Sequence, residues 1–402
     1  MKAGKKTNWV MNPGYSVSTK ISVRKKDSPF VTTNLKLEKL SREHIDLLVA
    51  ISKTKHIGKV PPALKPYLKF LIDAGIVVNS DNTPKKVNAS WKVGIKDIQF
   101  VPKIIRENAE QEVENKKLMV DKRFVFVQRG PQRPKAKFNG IPPFRDFPTG
   151  KALIWVFNPA YGVWAVFEMS ENHTALVEQL LLGNKTVASL APDLALLFFL
   201  GGIIGEPKLG SVIKNRHSDI ECQRKHLKHN GYAVIKSLVN PLQIALMRRY
   251  FRDLEKGGYL EFDSHQVVNK RYIWHNDPML QFVHRQSAGV VRQLSKENIF
   301  PSYSCLSAYL EGATLEKHLD RPQCAWNGSL LIDENPETAV EDSWPLYLEV
   351  RGQVHVVRLD FGDAIFYSGT TLPHWRVADQ VGRRQTLGLL HYVPIDFVGS
   401  LD

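Results

Sequence analysis

From Pro301 almost to Pro394 the chain reads as short apolar strands divided by turn residues at Gly312, Asn335-Pro336, Gly352, Gly362-Asp363, Gly369 and Gly382. About a hundred residues of strands at this spacing fold as a β-sandwich or a jelly-roll barrel. Inside the stretch lies EKHLD, residues 316–320. Residues i and i+2 of a strand face the same way, so His318 and Asp320 can reach one ion. In a chain with 13 histidines an H-x-D also arises by chance, and its weight depends on what accompanies it.

His374 stands 54 residues after Asp320, in GDAIFYSGTTLPHWRVADQVGRRQTLGLLHYVP, residues 362–394. Two histidines and one carboxylate make a facial triad, which leaves three positions on an iron open. Ten residues after His374 comes Arg384, with Thr386 two further along an apparent strand. By alternation the two share a face, and a guanidinium fork with a hydroxyl is a clamp for a carboxylate. Arg383 has the opposite parity, and the R-x-T pattern favours Arg384 over it. A zinc hydrolase would need an H-E-x-x-H or a nearby carboxylate base, and the sequence has neither.

This order of H-x-D, glycine–aspartate turn, distal histidine and Arg-x-Thr resembles the Fe(II)/2-oxoglutarate-dependent dioxygenases, over roughly residues 222–398. The resemblance implies a double-stranded β-helix, a cupin-like jelly roll, with His318, Asp320 and His374 holding Fe(II). It implies 2-oxoglutarate and dioxygen as cosubstrates, with Arg384 and Thr386 on the distal carboxylate and Tyr309 offering a hydroxyl; Tyr303 is the other candidate. The reaction would be oxidation of a substrate C–H bond, by default a hydroxylation, with no catalytic side chain beyond the iron centre. Trp326, Trp375 and Arg376 lie next to ligand positions and are candidate substrate contacts, while His391 and Cys305 read as core residues.

The remaining residues point to an α+β multidomain chain. Ser41 followed by Glu43 and His44 opens a helical period that breaks at Gly58. A second helix enters through Pro61-Pro62 and stops at Gly75 before a short strand, the outline of a winged-helix module. The hairpin signal around Asn158–Gly162, then helix, Gly183, helix and Gly201-Gly202, repeats that plan. The expected divisions are a basic segment with a first winged-helix-like module (1–95), a helical connector with a Pro/Gly-rich linker (96–148), a second winged-helix-like module (149–220) and the oxygenase domain (221–402).

The two small modules resemble winged-helix RiPP recognition elements, which implies a ribosomal peptide substrate held by its leader. Residues 1–60 carry thirteen Lys or Arg against four Asp or Glu, a local +9 within a formal +15. That basic footprint suits an acidic leader, and equally a nucleic-acid-directed oxygenase. A small-molecule hydroxylase with a scaffolding front half, and a binding protein with an inactive barrel, complete the alternatives. Three cysteines without a C-x-x-C pair suit a reducing cytoplasm. The longest apolar run, residues 190–205, contains Asp193 and is too short to cross a bilayer, so no membrane partner is expected.

Overall fold

The structure is a computed structural model that describes residues 9–11, 16–17, 23–24, 32–33, 41–54, 61–73, 77–79, 89–129, 151–206, 209–263, 270–379 and 381–401. Two compact units divide the chain, one from residues 1–88 and 251–261 with 402, the other from 89–250 and 262–401.

In the first unit, β1 (Trp9–Met11) pairs antiparallel with β5 (Val77–Asn79), while β2 (Ser16–Val17), β3 (Val23–Arg24) and β4 (Thr32–Thr33) form a small sheet. Helix α1 (Arg42–Thr54) starts where Ser41 predicts, with the Ser41 backbone N–H donated to His44 Nδ1 at 3.1 Å. Its buried Leu47, Leu48 and Ile51 recur at helical spacing. Helix α2 (Leu68–Asp73) follows a 3-10 turn entered at Pro62. The breaks expected at Gly58 and Gly75, and the linker expected near 130–148, lie outside the described residues.

The second unit opens with α3 (Lys103–Asn115) and a three-stranded antiparallel sheet of β6 (Val125–Gln128), β7 (Leu153–Asn158) and β8 (Val163–Glu168). β7 and β8 are the expected hairpin, with Asn158 opposite Val163 and Gly162 at φ 72° in the turn. β6 falls where only a connector was expected. Its FVFVQ alternation is short and runs into Pro/Gly-rich sequence, which masks a strand whose partner lies 25 residues on. Helix α4 (Glu171–Leu182) is capped by Ser170 Oγ, which accepts the His173 N–H, and ends at Gly183 with φ 80°. Helix α5 (Pro192–Leu200) has Pro at N1 and five buried Leu or Phe side chains. The strand expected after Gly202 does not form: Ile203 and Ile204 are buried in a turn, and only a single bridge joins Gly205 to Met119. The second front module therefore lacks the closing strand that the repeat predicts.

After α6 (Leu209–Asn230), β9 (Tyr232–Ile235), α7 (Pro241–Lys256), β10 (Glu261–Asp263), β11 (Arg271–His275) and α8 (Pro278–Ser295) come eight strands. They are β12 (Ile299–Tyr309), β13 (Leu315–His318), β14 (Trp326–Asn335), β15 (Leu346–Val350), β16 (Gln353–Val357), β17 (Ala364–Tyr367), β18 (His374–Arg376) and β19 (Arg384–Pro394). One sheet has the order β10-β11-β12-β19-β14-β17-β9, the other β13-β18-β15-β16. Following the chain, β12, β14, β17 and β19 fall in the first sheet and β13, β15, β16 and β18 in the second. That is the winding of a double-stranded β-helix, as the sequence predicts.

The major sheet is buried on both faces because α8 lies across β12 and β19. Asp277 caps that helix by accepting the N–H of Met279 and Leu280. A Cβ on Gly388 would stand 2.4 Å from Leu280 Cδ1, so the close approach of helix to sheet requires glycine there. No helix among the described residues is long and apolar enough to cross a membrane.

Candidate metal centre

β13 and β18 are neighbours in the minor sheet, and His318 and His374 are direct cross-strand partners with ring centroids 4.3 Å apart. Asp320 sits just past the end of β13, where its backbone N–H is donated to the Gly369 carbonyl at 2.9 Å. His318 Nε2 lies 3.4 Å from Asp320 Oδ1 and His374 Nε2 lies 3.4 Å from Asp320 Oδ2. One ligand atom from each residue lies within 4.8 Å of the others, so the three side chains converge as the sequence spacing predicts.

The outer hydrogen bonds set which nitrogen faces the centre. His318 Nδ1–H donates to the Glu316 carbonyl at 2.8 Å, and His374 Nδ1–H to the Leu372 carbonyl at 3.1 Å. Each imidazole uses the carbonyl two residues before it, which leaves both Nε2 lone pairs aimed at the Asp320 carboxylate. Three electron-pair donors facing one another fit a cation between them, and the donor set of two nitrogens and one oxygen suits Fe(II). Burial disfavours the charged Asp320 carboxylate, but His318, His374 and Asn327 outweigh it and hold its pKa below the ordinary range. Burial also lowers the pKa of His374, favouring the neutral ligand form. The hydrogen bond to Asp320 raises that of His318, since a proton on Nε2 takes the cation's place there.

Asn327, which follows the H-x-D and reads from the sequence as a residue of the pocket mouth, orients the carboxylate. Its Nδ2 donates to Asp320 Oδ2, and its Oδ1 accepts from His391 Nδ1–H at 2.6 Å. Burial pushes the His391 pKa down to about 3, so this imidazole is neutral and its Nδ1–H is a fixed donor. His391 is therefore buried, as expected, but it lines the site cavity and steers Asn327. Asn327 and His391 are directly opposite on β14 and β19, a pairing that only the strand register reveals. Gly369 completes the support, since a Cβ there would lie 2.7 Å from Asp320 Oδ2 and 2.4 Å from the Cys324 carbonyl oxygen.

The cavity holding the triad is about 300 Å3 in volume. Tyr309 lines it, as does Tyr303, whose hydroxyl lies 3.2 Å from Cys324 Sγ. Arg384 and Thr386 do not line it. β19 turns Leu387, Leu389 and His391 toward the cavity, so by alternation Arg384 and Thr386 face the other way, and Arg384 is exposed. The expected clamp is thus displaced by strand parity. Arg383 does not replace it, being bound to Asp379 Oδ1 at 2.7 Å.

The guanidiniums that do line the cavity are Arg271, Arg321 and Arg376. Arg271 and Arg376 both approach the Tyr309 ring, with Cζ 5.8 and 5.4 Å from its centroid. Arg376 is buried, and its Nη1 donates to the Trp344 and Pro345 carbonyls and to Gln385 Oε1 at 2.7 Å. Among the described residues no carboxylate forms an ion pair with it, and burial lowers its pKa.

Trp326 and Trp375, the other candidate substrate contacts, point away from the cavity. Trp326 precedes the inward Asn327, and its indole N–H donates to Glu297 Oε2 at 2.8 Å. Trp375 lies between the inward His374 and Arg376, and stacks on Tyr347 on the outer face of the minor sheet at 5.7 Å. None of the three cysteines forms a disulfide.

No protein-family model and no curated protein matches the sequence. Solved structures do. A Pseudomonas putida prolyl-4-hydroxylase is 14% identical, with 43% of this chain and 98% of that one covered and a TM-score of 0.37. A prolyl hydroxylase from Trichoplax adhaerens, in complex with a hypoxia inducible factor oxygen degradation domain peptide fragment, is 15% identical over 46% of this chain and 93% of that one, with a TM-score of 0.39. HygX from Streptomyces hygroscopicus, with nickel and 2-oxoglutarate bound, is 12% identical over 44% of this chain and 87% of that one, with a TM-score of 0.36.

Proposed function

We propose that this chain is an Fe(II)/2-oxoglutarate-dependent oxygenase, and that Arg376 rather than Arg384 receives the distal carboxylate of 2-oxoglutarate. The observation that carries the reading is the pairing of two features in one cavity. One is a triad with both Nε2 atoms turned inward, and the other is a buried arginine without a carboxylate. A buried guanidinium left without an anion is costly, and a dicarboxylate that reaches from the metal to Arg376 supplies one.

When bound, iron and 2-oxoglutarate supply the oxidising power to functionalise an unactivated C–H bond using dioxygen. The chain contributes placement. His318, Asp320 and His374 occupy one face of the metal, and the Glu316 and Leu372 carbonyls fix the two imidazole tautomers. Asn327 and His391 hold the orientation of the carboxylate. Tyr309 on the cavity wall offers its ring to both the Arg271 and the Arg376 guanidinium.

The finer reading is that the substrate is a peptide whose leader is held by the modules ahead of the barrel. Supporting it, the β6–β8 sheet is in the same compact unit as the barrel and is joined to it: Gln286 of α8 bonds both backbone groups of Trp164 in β8.

Two measurements test these readings. Fe(II)-dependent conversion of 2-oxoglutarate to succinate is expected in the wild type and is abolished, together with Fe(II) binding, in His374→Ala that keeps its fold. Retained Fe(II) binding in that variant would remove the metal assignment. Mass spectrometry of turnover mixtures is expected to show a single added oxygen on a peptide; an oxidised nucleoside would instead identify a nucleic-acid substrate.

A further inference from the structure

A second cavity, of about 850 Å3, lies between the β6–β8 sheet, α5 and the start of α7. Phe124, Phe157, Trp164 and Phe199 line it, with Phe157 and Trp164 in ring contact at 4.6 Å. Its volume is that of a site for a drug-sized molecule or for one or two large side chains.

Gln243 is the polar group that sets this cavity apart from a packing fault. It lines the cavity and is 3% exposed. Its backbone N–H donates to Asn240 Oδ1 at 2.8 Å, but its side-chain carboxamide makes no hydrogen bond with the described residues. A carboxamide open to a cavity offers a ligand one donor group and one acceptor. The same protein shows what such a group binds. The Gln286 carboxamide accepts the Trp164 backbone N–H at 2.6 Å and donates to the Trp164 carbonyl at 3.1 Å, holding both backbone groups of one residue. Gln243 presents an equivalent donor and acceptor with no hydrogen-bond partner among the described residues.

We propose that this cavity is a docking site for a peptide segment, which places one large apolar side chain among the aromatic rings and pairs its backbone with the Gln243 carboxamide. The class of ligand rests on the peptide reading above, while the site is separate from the metal centre and binds without it.

The test uses the full chain without iron or 2-oxoglutarate, labelled with 5-fluorotryptophan, the Trp164 resonance being assigned through Trp164→Phe. The probes are N-acetyl-phenylalaninamide and ethylbenzene, a similar ring without the amides. Both are expected to shift the Trp164 resonance saturably. Gln243→Leu weakens the amide probe about tenfold and leaves ethylbenzene within about twofold. Ala165→Leu, which fills the cavity from β8, weakens both. Absence of saturable binding overturns the site. Binding of ethylbenzene alone, or amide affinity unchanged in Gln243→Leu, overturns the pairing with Gln243. Should Gln243→Leu fail to fold, the two probes on the wild type and on Ala165→Leu decide. Failure here leaves the metal centre standing, whereas binding here with no oxidised peptide in turnover would defeat the peptide-substrate reading instead.

Discussion

Arg248 and Arg376 are buried to nearly the same degree, 1% and 3% exposed, in two regions of the same unit. Arg248, on α7, has Asp333 Oδ1 at 2.8 Å, Glu337 Oε1 at 2.5 Å and the Phe100 carbonyl at 2.7 Å. Arg376, on β18, is held by two carbonyls and a glutamine, and reaches Glu334 only through Gln385. The first is a closed network in which two carboxylates already answer the guanidinium, and it ties α7 to β14. The second keeps a positive charge facing the cavity that also holds the three side chains of the candidate metal centre. A fold that can balance a buried arginine in one place and does not in another leaves the second one for a ligand.

Four substitutions break or sharpen this contrast. Arg248→Met strands Asp333 beside Glu337 and is expected to destabilise the protein by about 3–5 kcal/mol, read as a shift in the denaturation midpoint. Arg376→Met leaves no carboxylate stranded, so stability changes little. Its effect falls on the cosubstrate: the KM for 2-oxoglutarate rises about a hundredfold, or about 2.7 kcal/mol. Equal destabilisation by both variants would erase the distinction. Gly369→Ala pushes a methyl group against Asp320 Oδ2 and the Cys324 carbonyl, and is expected to cost about 1–3 kcal/mol and weaken Fe(II) binding. Arg384→Ala, on the face of β19 turned away from the cavity, changes the KM for 2-oxoglutarate less than about threefold. A larger effect there than at Arg376 would restore the clamp first expected from the sequence.

The strand-rich stretch and the triad were legible in the sequence for one reason. His318 and Asp320 are separated by a fixed step of two, and the register that places His374 opposite His318 follows once the jelly-roll winding is assumed. The clamp was not legible, because its parity depends on the loop between β18 and β19. Counting ten residues from His374 finds Arg384, but only the pairing of β19 with β12 and β14 shows that Gln385, Leu387 and His391 take the inward positions. One residue of slip exchanges the faces of a whole strand. Arg376 was visible as a residue next to a ligand, yet its role emerges only from its burial and from what does not surround it. The same holds for Asn327 and Gln243, whose importance lies in a long-range partner or in the absence of one. In the front half, helix signals such as Ser41 and Gly183 were local and reliable. The strands were not, since β6 and the missing strand after Gly202 are decided by distant pairing.

The most direct measurement is an anaerobic titration of 2-oxoglutarate into the Fe(II)-loaded full chain, followed by the visible charge-transfer absorption of an iron–2-oxo acid chelate. The expected result is a saturable band in the wild type that needs Fe(II), disappears in His374→Ala, and in Arg376→Met reaches the same height only at about a hundredfold higher 2-oxoglutarate. A wild type that shows neither band nor succinate formation would contradict the metal and cosubstrate assignment, and an unchanged titration in Arg376→Met would contradict the role given to that arginine.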